Sequence, residues 1–341
     1  MKRINTLVLG IITVSLMGLS LISAQATITD PNWRLDRVVI AERGGSSVEV
    51  IGLNSSGEID WSNSSATANP YGVGFSALAI NNGRLYAADT EPYYRVIEYD
   101  LTTGAMVATL ISNQNLINQP GGLSFGPDGS LYVANQSSTF RVSRFDADGT
   151  PFPGQYPFNQ GDLADTVAGA VIGPDGDLYV TRALNPPAIV KYQGPTGANP
   201  GAQVTPYSDA FFPATGLQNY STHPTFWQGS LYVNGSDGIY KLSADLSTAT
   251  KWTSGDEAYQ GSGVYSRQFE FGLDGFVYQA FSTGNVLRYD NESGAFSSVF
   301  SEGHENLAGL ALQSHVVPEP ATALLIGVGM LMLSAMRRRM R

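Results

Sequence analysis

One seven-residue phrase recurs five times in this chain. Asn82-Gly83-Arg84-Leu85-Tyr86-Ala87-Ala88 returns as Asp128-Gly129-Ser130-Leu131-Tyr132-Val133-Ala134 and as Asp175-Gly176-Asp177-Leu178-Tyr179-Val180-Thr181, then as Gln228-Gly229-Ser230-Leu231-Tyr232-Val233-Asn234 and Asp274-Gly275-Phe276-Val277-Tyr278-Gln279-Ala280. From Leu85 the equivalent positions advance by 46, 47, 53 and 46 residues. A period of that length means that one supersecondary unit is stacked many times over. Each unit has a small-residue strand such as Gly122-Leu123-Ser124-Phe125, an Asn-Gly or Asp-Gly turn, the Leu-Tyr-Val strand, and a third strand ending in an aromatic-Asp pair, as at Tyr99-Asp100, Phe145-Asp146 and Tyr289-Asp290. Glycine after Asn or Asp supplies the positive φ that a two-residue hairpin turn needs. No sustained helical period interrupts the units.

Four antiparallel strands in about 47 residues make a propeller blade. Five full copies are present, and the remainder is divided between the two ends. Leu35 to Ala41 and Ser47 to Ile51 supply second and third strands without a first, whereas Leu307-Ala308-Gly309-Leu310-Ala311-Leu312 has the first-strand pattern with no unit after it. The reading is an all-β, six-bladed propeller over residues 27–315, closed by pairing of N- and C-terminal strands so that no sheet edge is left open at the seam.

The two ends carry other signals. Lys2 and Arg3 precede an apolar stretch from Leu7 to Ile22, and Ala24-Gln25-Ala26 offers small residues at Ala24 and Ala26, the positions a signal peptidase reads; residues 1–26 are therefore expected to be a signal peptide. Residues 316–341 run Val316-Val317-Pro318-Glu319-Pro320, then a sixteen-residue apolar stretch from Ala321 to Met336, then Arg337-Arg338-Arg339-Met340-Arg341. Sixteen residues lie just under the roughly 17–25 that span a hydrocarbon core, and the arginines would be held on the cytoplasmic side. This three-part tail resembles the PEP-CTERM sorting signal of Gram-negative bacteria, with Val317, Pro318, Glu319, Pro320 and Arg337 to Arg339 as the motif. The resemblance implies cleavage by an exosortase, a membrane contact limited to the C-terminal segment before processing, and a final place at the cell surface or in the extracellular matrix. An association with exopolysaccharide is a further implication. A plain tail anchor is the alternative.

Charge narrows the partners. The chain has 19 basic and 29 acidic residues; six of the basic ones lie in the terminal segments, which leaves 13 against 29, a formal −16, if Glu319 stays. Such a surface is unsuited to nucleic acid. The chain has no cysteine, which excludes disulfides, thiolate metal sites and thiol catalysis.

The blade repeats resemble the six-bladed propellers that include NHL-type domains and the gluconolactonase-like calcium enzymes. That resemblance implies one divalent ion held at the channel by Glu, Asn and Asp. Glu42, Asp89, Asn135 and Asn234 follow the second strand at similar offsets and are the candidate ligands, with capping of strand ends as the bland alternative. Gly122-Leu123-Ser124-Phe125-Gly126 matches a nucleophile-elbow pattern in letters only, because a turn and a strand follow it instead of a helix. The three histidines, His223, His304 and His315, are far apart in sequence. Tyr93, Tyr94, Tyr207, Tyr220, Trp227 and Tyr259 lie outside the repeat and are candidates for a loop-borne binding face. The expected role is binding or structural, with a polysaccharide or protein ligand and with no cofactor other than a calcium ion. A calcium-dependent hydrolase, lactonase or lyase, and a tail-anchored periplasmic scaffold, are the alternatives.

Overall fold

The computed structural model describes residues 33–44, 47–65, 75–90, 93–136, 142–153, 167–182, 188–204, 223–235, 237–243, 246, 248–259 and 264–316. These form six antiparallel sheets. Blade 1 holds β1 (Trp33–Gly44), β2 (Ser47–Asn54) and β3 (Ile59–Ser65); blade 2 holds β4 (Phe75–Asn81), β5 (Arg84–Asp89), β6 (Arg95–Asp100) and β7 (Met106–Ile111). Blade 3 is β8 (Pro120–Phe125), β9 (Leu131–Asn135) and β10 (Val142–Phe145), and blade 4 is β11 (Val167–Ile172), β12 (Leu178–Arg182) and β13 (Ala188–Tyr192). Blade 5 is β14 (Thr225–Trp227), β15 (Ser230–Gly235), β16 (Gly238–Leu242) and β17 (Ala249–Lys251). Blade 6 is β18 (Ser266–Phe271), β19 (Phe276–Phe281), β20 (Val286–Asp290) and β21 (Phe296–Ser301). The last strand, β22 (Leu307–Val316), completes blade 1 as its inner strand, pairing with β1 from Glu42↔Leu307 to Trp33↔Val316. Closure thus follows the sequence expectation. In blades 3 and 4 the described residues supply three strands and a single outer bridge each, Phe145↔Pro151 and Tyr192↔Gln203, instead of a fourth strand. Both terminal segments, 1–32 and 317–341, lie outside the described residues.

Strand alternation explains where the core sits. Each sheet stands between two others, so successive side chains of a strand enter two different seams and both sets must be apolar. Six buried clusters result, one per seam. Val39 and Val50 of blade 1 meet Leu85 and Ile97 of blade 2, and the last seam joins Tyr278 and Val286 of blade 6 to Val38, Ile40 and Leu310 of blade 1. The recurring tyrosine packs across these seams: the ring pairs Tyr86–Phe125, Tyr179–Phe226 and Tyr232–Phe271 each join one blade to the next at 4.9 Å.

The turns differ from the simple expectation. Both central residues have positive φ only in blades 2 and 5, at Asn82 (49°) and Gly83 (72°) and at Gln228 (48°) and Gly229 (74°). In blade 3 the loop is longer: Gly129 N donates to Gly126 O, and Asp128 accepts from Ser130 N. Pro127 has φ fixed near −65° and cannot take a positive-φ place, so Asp-Gly moves one step along the turn.

A second turn carries more weight. After the third strand, Asn54, Asp100, Asp146 and Asp290 each bind backbone amides ahead of them, and a glycine in the left-handed region then lies on the outer strand of the preceding blade. A Cβ on Gly57 would stand 2.1 Å from the Phe300 carbonyl oxygen, one on Gly149 2.7 Å from that of Leu110, one on Gly294 2.2 Å from that of Trp252, and one on Gly104 2.2 Å from the Trp61 ring.

Two outcomes are expected. Ending the chain at Asn306 removes the fully buried Leu307 and Leu310 together with all pairing to β1. Each such leucine contributes about 2–5 kcal/mol, against a total stability of about 5–15 kcal/mol, so the truncated chain should show no cooperative melting transition; a soluble truncation that melts cooperatively contradicts the closure. Gly129 and Gly57 have similar φ, 79° and 85°, but only Gly57 faces a neighbour. In urea titrations Gly129→Ala should therefore cost about 1–2 kcal/mol, and Gly57→Ala roughly 3 kcal/mol or more.

Candidate binding face and the closed channel

Inner strands have one edge toward the propeller axis, where their amides lack a sheet partner. One side chain meets this need for two of them. Gln268, on β18, accepts from Leu78 N (3.0 Å) and Leu310 N (3.1 Å) through Oε1, and donates through Nε2 to Leu78 O (2.7 Å) and His223 Nε2 (3.0 Å). It thus reaches from blade 6 to β22 and β4, and both donors and both acceptor sites of the amide are used. The backbone amides can only donate, which fixes the orientation of the amide group and makes His223 Nε2 an acceptor. Burial pushes His223 down to about 4, in keeping with a neutral ring. Glu270, half-buried two residues along β18, is pushed up to about 7 by burial, against the effect of the Gln268 amide.

The two ends of the ring are unlike. One carries the Asp-Gly and Asn-Gly turns between first and second strands. At the other, inner strands begin and second strands finish, as the pairs Glu42↔Leu307, Phe75↔Asp89 and Pro120↔Asn135 show. The four candidate metal ligands all occupy this second end, each held by a neighbour. Arg95 donates to Asp89 from Nε (3.0 Å) and from a terminal nitrogen (2.6 Å); burial raises the Asp89 carboxyl and the guanidinium opposes the rise. Asn135, wholly buried, accepts from Asn118 N (2.9 Å) and donates to Ser143 Oγ (3.1 Å). Asn234 accepts from Gln279, whose amide also donates to Ser266. Glu42 is 2.9 Å from His304 Nδ1. These are contacts of strand-end capping, and among the described residues no three His, Cys, Asp or Glu side chains are grouped as metal ligands.

The Glu42 contact continues: His304 Nε2 is 2.9 Å from Ser301 Oγ. Serine, histidine and glutamate in that order match the hydrogen bonds of a hydrolytic relay. Ser301 Oγ also lies 2.9 Å from the Gly57 carbonyl, so its single proton is shared between two acceptors, that carbonyl and, when the ring keeps its proton on Nδ1 toward Glu42, His304 Nε2. The hydroxyl is engaged by backbone on one side and the ring on the other, as a structural bridge is. The bonds instead tie blade 6 to blade 1, which places them at the seam closed by β22.

Two aromatic side chains are exposed among the described residues, Tyr93 (43%) and Tyr265 (37%), both at the strand-end face. Each is backed by an arginine two positions on: Arg95 lies 4.4 Å from the Tyr93 ring centre and Arg267 5.7 Å from that of Tyr265. Tyr94 has φ +47°, a strained value of the kind that collects at functional faces. Of the other aromatic candidates, Trp227 is stacked on Phe271 at 4.9 Å and Tyr259 packs on Phe296, so both are structural; Tyr207 and Tyr220 lie outside the described residues. Tyr265 and Gln268 escaped the sequence reading, and His304 entered it only as an isolated histidine. Only the Tyr-x-Arg spacing shared by Tyr93 and Tyr265 could have signalled any of them.

The channel gives a pH test. Between pH 6.5 and 4 the unfolded chain binds a proton at His223 that the native chain refuses, so this stabilisation is present above pH 6.5 and lost as pH falls toward 4. Glu270 acts oppositely, holding a proton between 4.5 and 7 in the native chain alone, so its contribution is present at acid pH and lost as pH rises through 7. Relative to wild type, His223→Gln should gain stability as pH falls from 7 to 5 and Glu270→Gln should lose it, by up to about 2 kcal/mol each, less for half-buried Glu270. Parallel pH profiles for both variants would contradict this placement.

No family model and no curated protein matches the sequence. Among solved structures, the crystal structure of the computationally designed Ika8 protein aligns over 82% of this chain and 92% of its own, at 10% identity and a TM-score of 0.47. A likeness at that level says nothing of function, and the propeller assignment rests on the strand pairing itself.

Proposed function

We propose that the chain is an exported binding propeller that uses its strand-end face and is directed to the cell surface or extracellular matrix by its C-terminal tail. A β-propeller is consistent with a binding or structural role. The observation that carries the binding reading is the placement of Tyr93 and Tyr265, which share one end of the ring and are held upright by arginine. A rigid aromatic ring offers contact area at small entropic cost. Export rests on Lys2 to Ala26, and sorting on Val317-Pro318-Glu319-Pro320, the apolar run and Arg337 to Arg339, all read from sequence. The strand β22 ends at Val316, directly before that motif, so cleavage there would spare the closing strand.

Intact-mass measurement on protein recovered from cell fractions tests the sorting. The mature form should lack residues 321–341, whereas Glu319→Ala should remain in the membrane fraction with its tail. A wild-type mass that includes Arg337 to Arg341 would leave a tail-anchored scaffold as the reading. In the same fractions, the double variant Tyr93→Ala/Tyr265→Ala should leave the matrix fraction for the medium without change in melting temperature. Unaltered partition would contradict the binding face.

A further inference from the structure

The packing of a glycine turn on the preceding blade is used by blades 1, 2, 3 and 6, and it fails at blade 5. There the turn has the same bonds, with Leu246 N donating to Ser243 O as Gly149 N does to Asp146 O, but the left-handed position holds leucine, at φ +57°. Elsewhere a Cβ at this place would strike the preceding blade's outer strand. A leucine cannot lie against a neighbouring backbone as those glycines do; its side chain is buried, at 4% exposure, in the cluster that joins Tyr179 and Ile189 of blade 4 to Leu231 and Val233 of blade 5. The same seam contains a cleft of about 190 Å³, lined in part by Leu246, on the turn end of the ring and away from the strand-end face. Glycine would relieve the backbone there, so a strained leucine lining a cleft is a local conflict of the sort found at working sites.

We propose that this cleft between blades 4 and 5 binds a single neutral sugar ring. Its size sets the first limit. It equals the liquid volume of about six waters and falls below the roughly 300 Å³ at which drug-sized sites begin, so one ring is the largest guest. Its lining sets the second. Tyr179, Phe226 and Leu231 make an apolar floor and Leu246 a wall, while the Asp175 carboxylate and the Ser243 hydroxyl stand at the rim. Asp175 is held below the usual carboxylate range; burial acts against this, but the Lys191 ammonium, the Tyr179 hydroxyl and the Asp177 amide outweigh it. Asp175 and Asp177 share the one ammonium of Lys191, at 2.8 and 3.0 Å, leaving the rim net negative. That rejects uronates and phosphates. A guest with one C–H face for the floor and hydroxyl donors for the rim is a pyranose. The site stands apart from the strand-end face and does not depend on export.

Saturation-transfer difference NMR on the purified propeller, with methyl β-glucopyranoside, methyl α-galactopyranoside, methyl β-xylopyranoside and phenol as separate probes, tests this. At least one glycoside should show ring-proton transfer from wild type. The signal should fall at least tenfold in Ser230→Trp, which fills the cleft from its half-exposed rim, with the far-UV spectrum and melting temperature kept. Asp175→Asn should weaken it severalfold, and serves as the second variant should Ser230→Trp fail to fold. Absence of transfer from all three glycosides, transfer from phenol alone, or signals unchanged in both variants would overturn the proposal.

Discussion

The pairing of β22 with β1 is the constraint on which the other contacts depend. A propeller blade is buried on both faces only if a blade stands on each side, so a ring with one open seam would expose two apolar sheets at once. Here the seam is shut by the two ends of the chain in one sheet, from Glu42↔Leu307 to Trp33↔Val316. With no cysteine to hold the loop, backbone pairing and apolar burial must do the closing. The polar contacts gather at the same place: Glu42, His304, Ser301 and the Gly57 carbonyl form one line of hydrogen bonds across it. Gln268 adds a bond to Leu310 N, fastening the closing strand to blade 6 on the channel side.

Repetition made most of this fold readable in advance, because a repeated blade multiplies each weak signal. The Leu-Tyr-Val phrase gives second strands, the aromatic-Asp pair gives third strands, and the unmatched Leu307 to Leu312 gives the closure. What the repeat hid was register against the neighbouring blade. Glycine after the aromatic-Asp pair reads as an ordinary turn residue, yet Gly57 and Gly149 are where one blade touches the backbone of the previous one. The longer Pro-Asp-Gly turns of blades 3 and 4 were hidden for a similar reason, since an Asp-Gly pair suits either turn length.

The polar residues were harder to read, for a physical reason. Glu42, Asp89, Asn135 and Asn234 share an offset after the second strand, and sequence could place them on one end of the ring but could not say what lies beside each. Their partners come from distant positions: His304 is 262 residues from Glu42, and Gln268 is 190 from Leu78. Such contacts follow from ring geometry, which no local window contains. Conversely, the exposed rings of Tyr93 and Tyr265 stand out only once the other aromatic side chains have been placed in seams.

Native-state hydrogen exchange on β1 and β22 tests the ring closure most directly. If these strands bind the ring together, the amides paired between Val38 and Ala41 and between Gly309 and Leu312 should exchange only through global unfolding, with the same free energy and denaturant dependence as the core of blade 2. Exchange of β22 through a separate, low-energy opening while blade 2 remains protected would show that the seam is an accessory contact and would contradict this description of the fold.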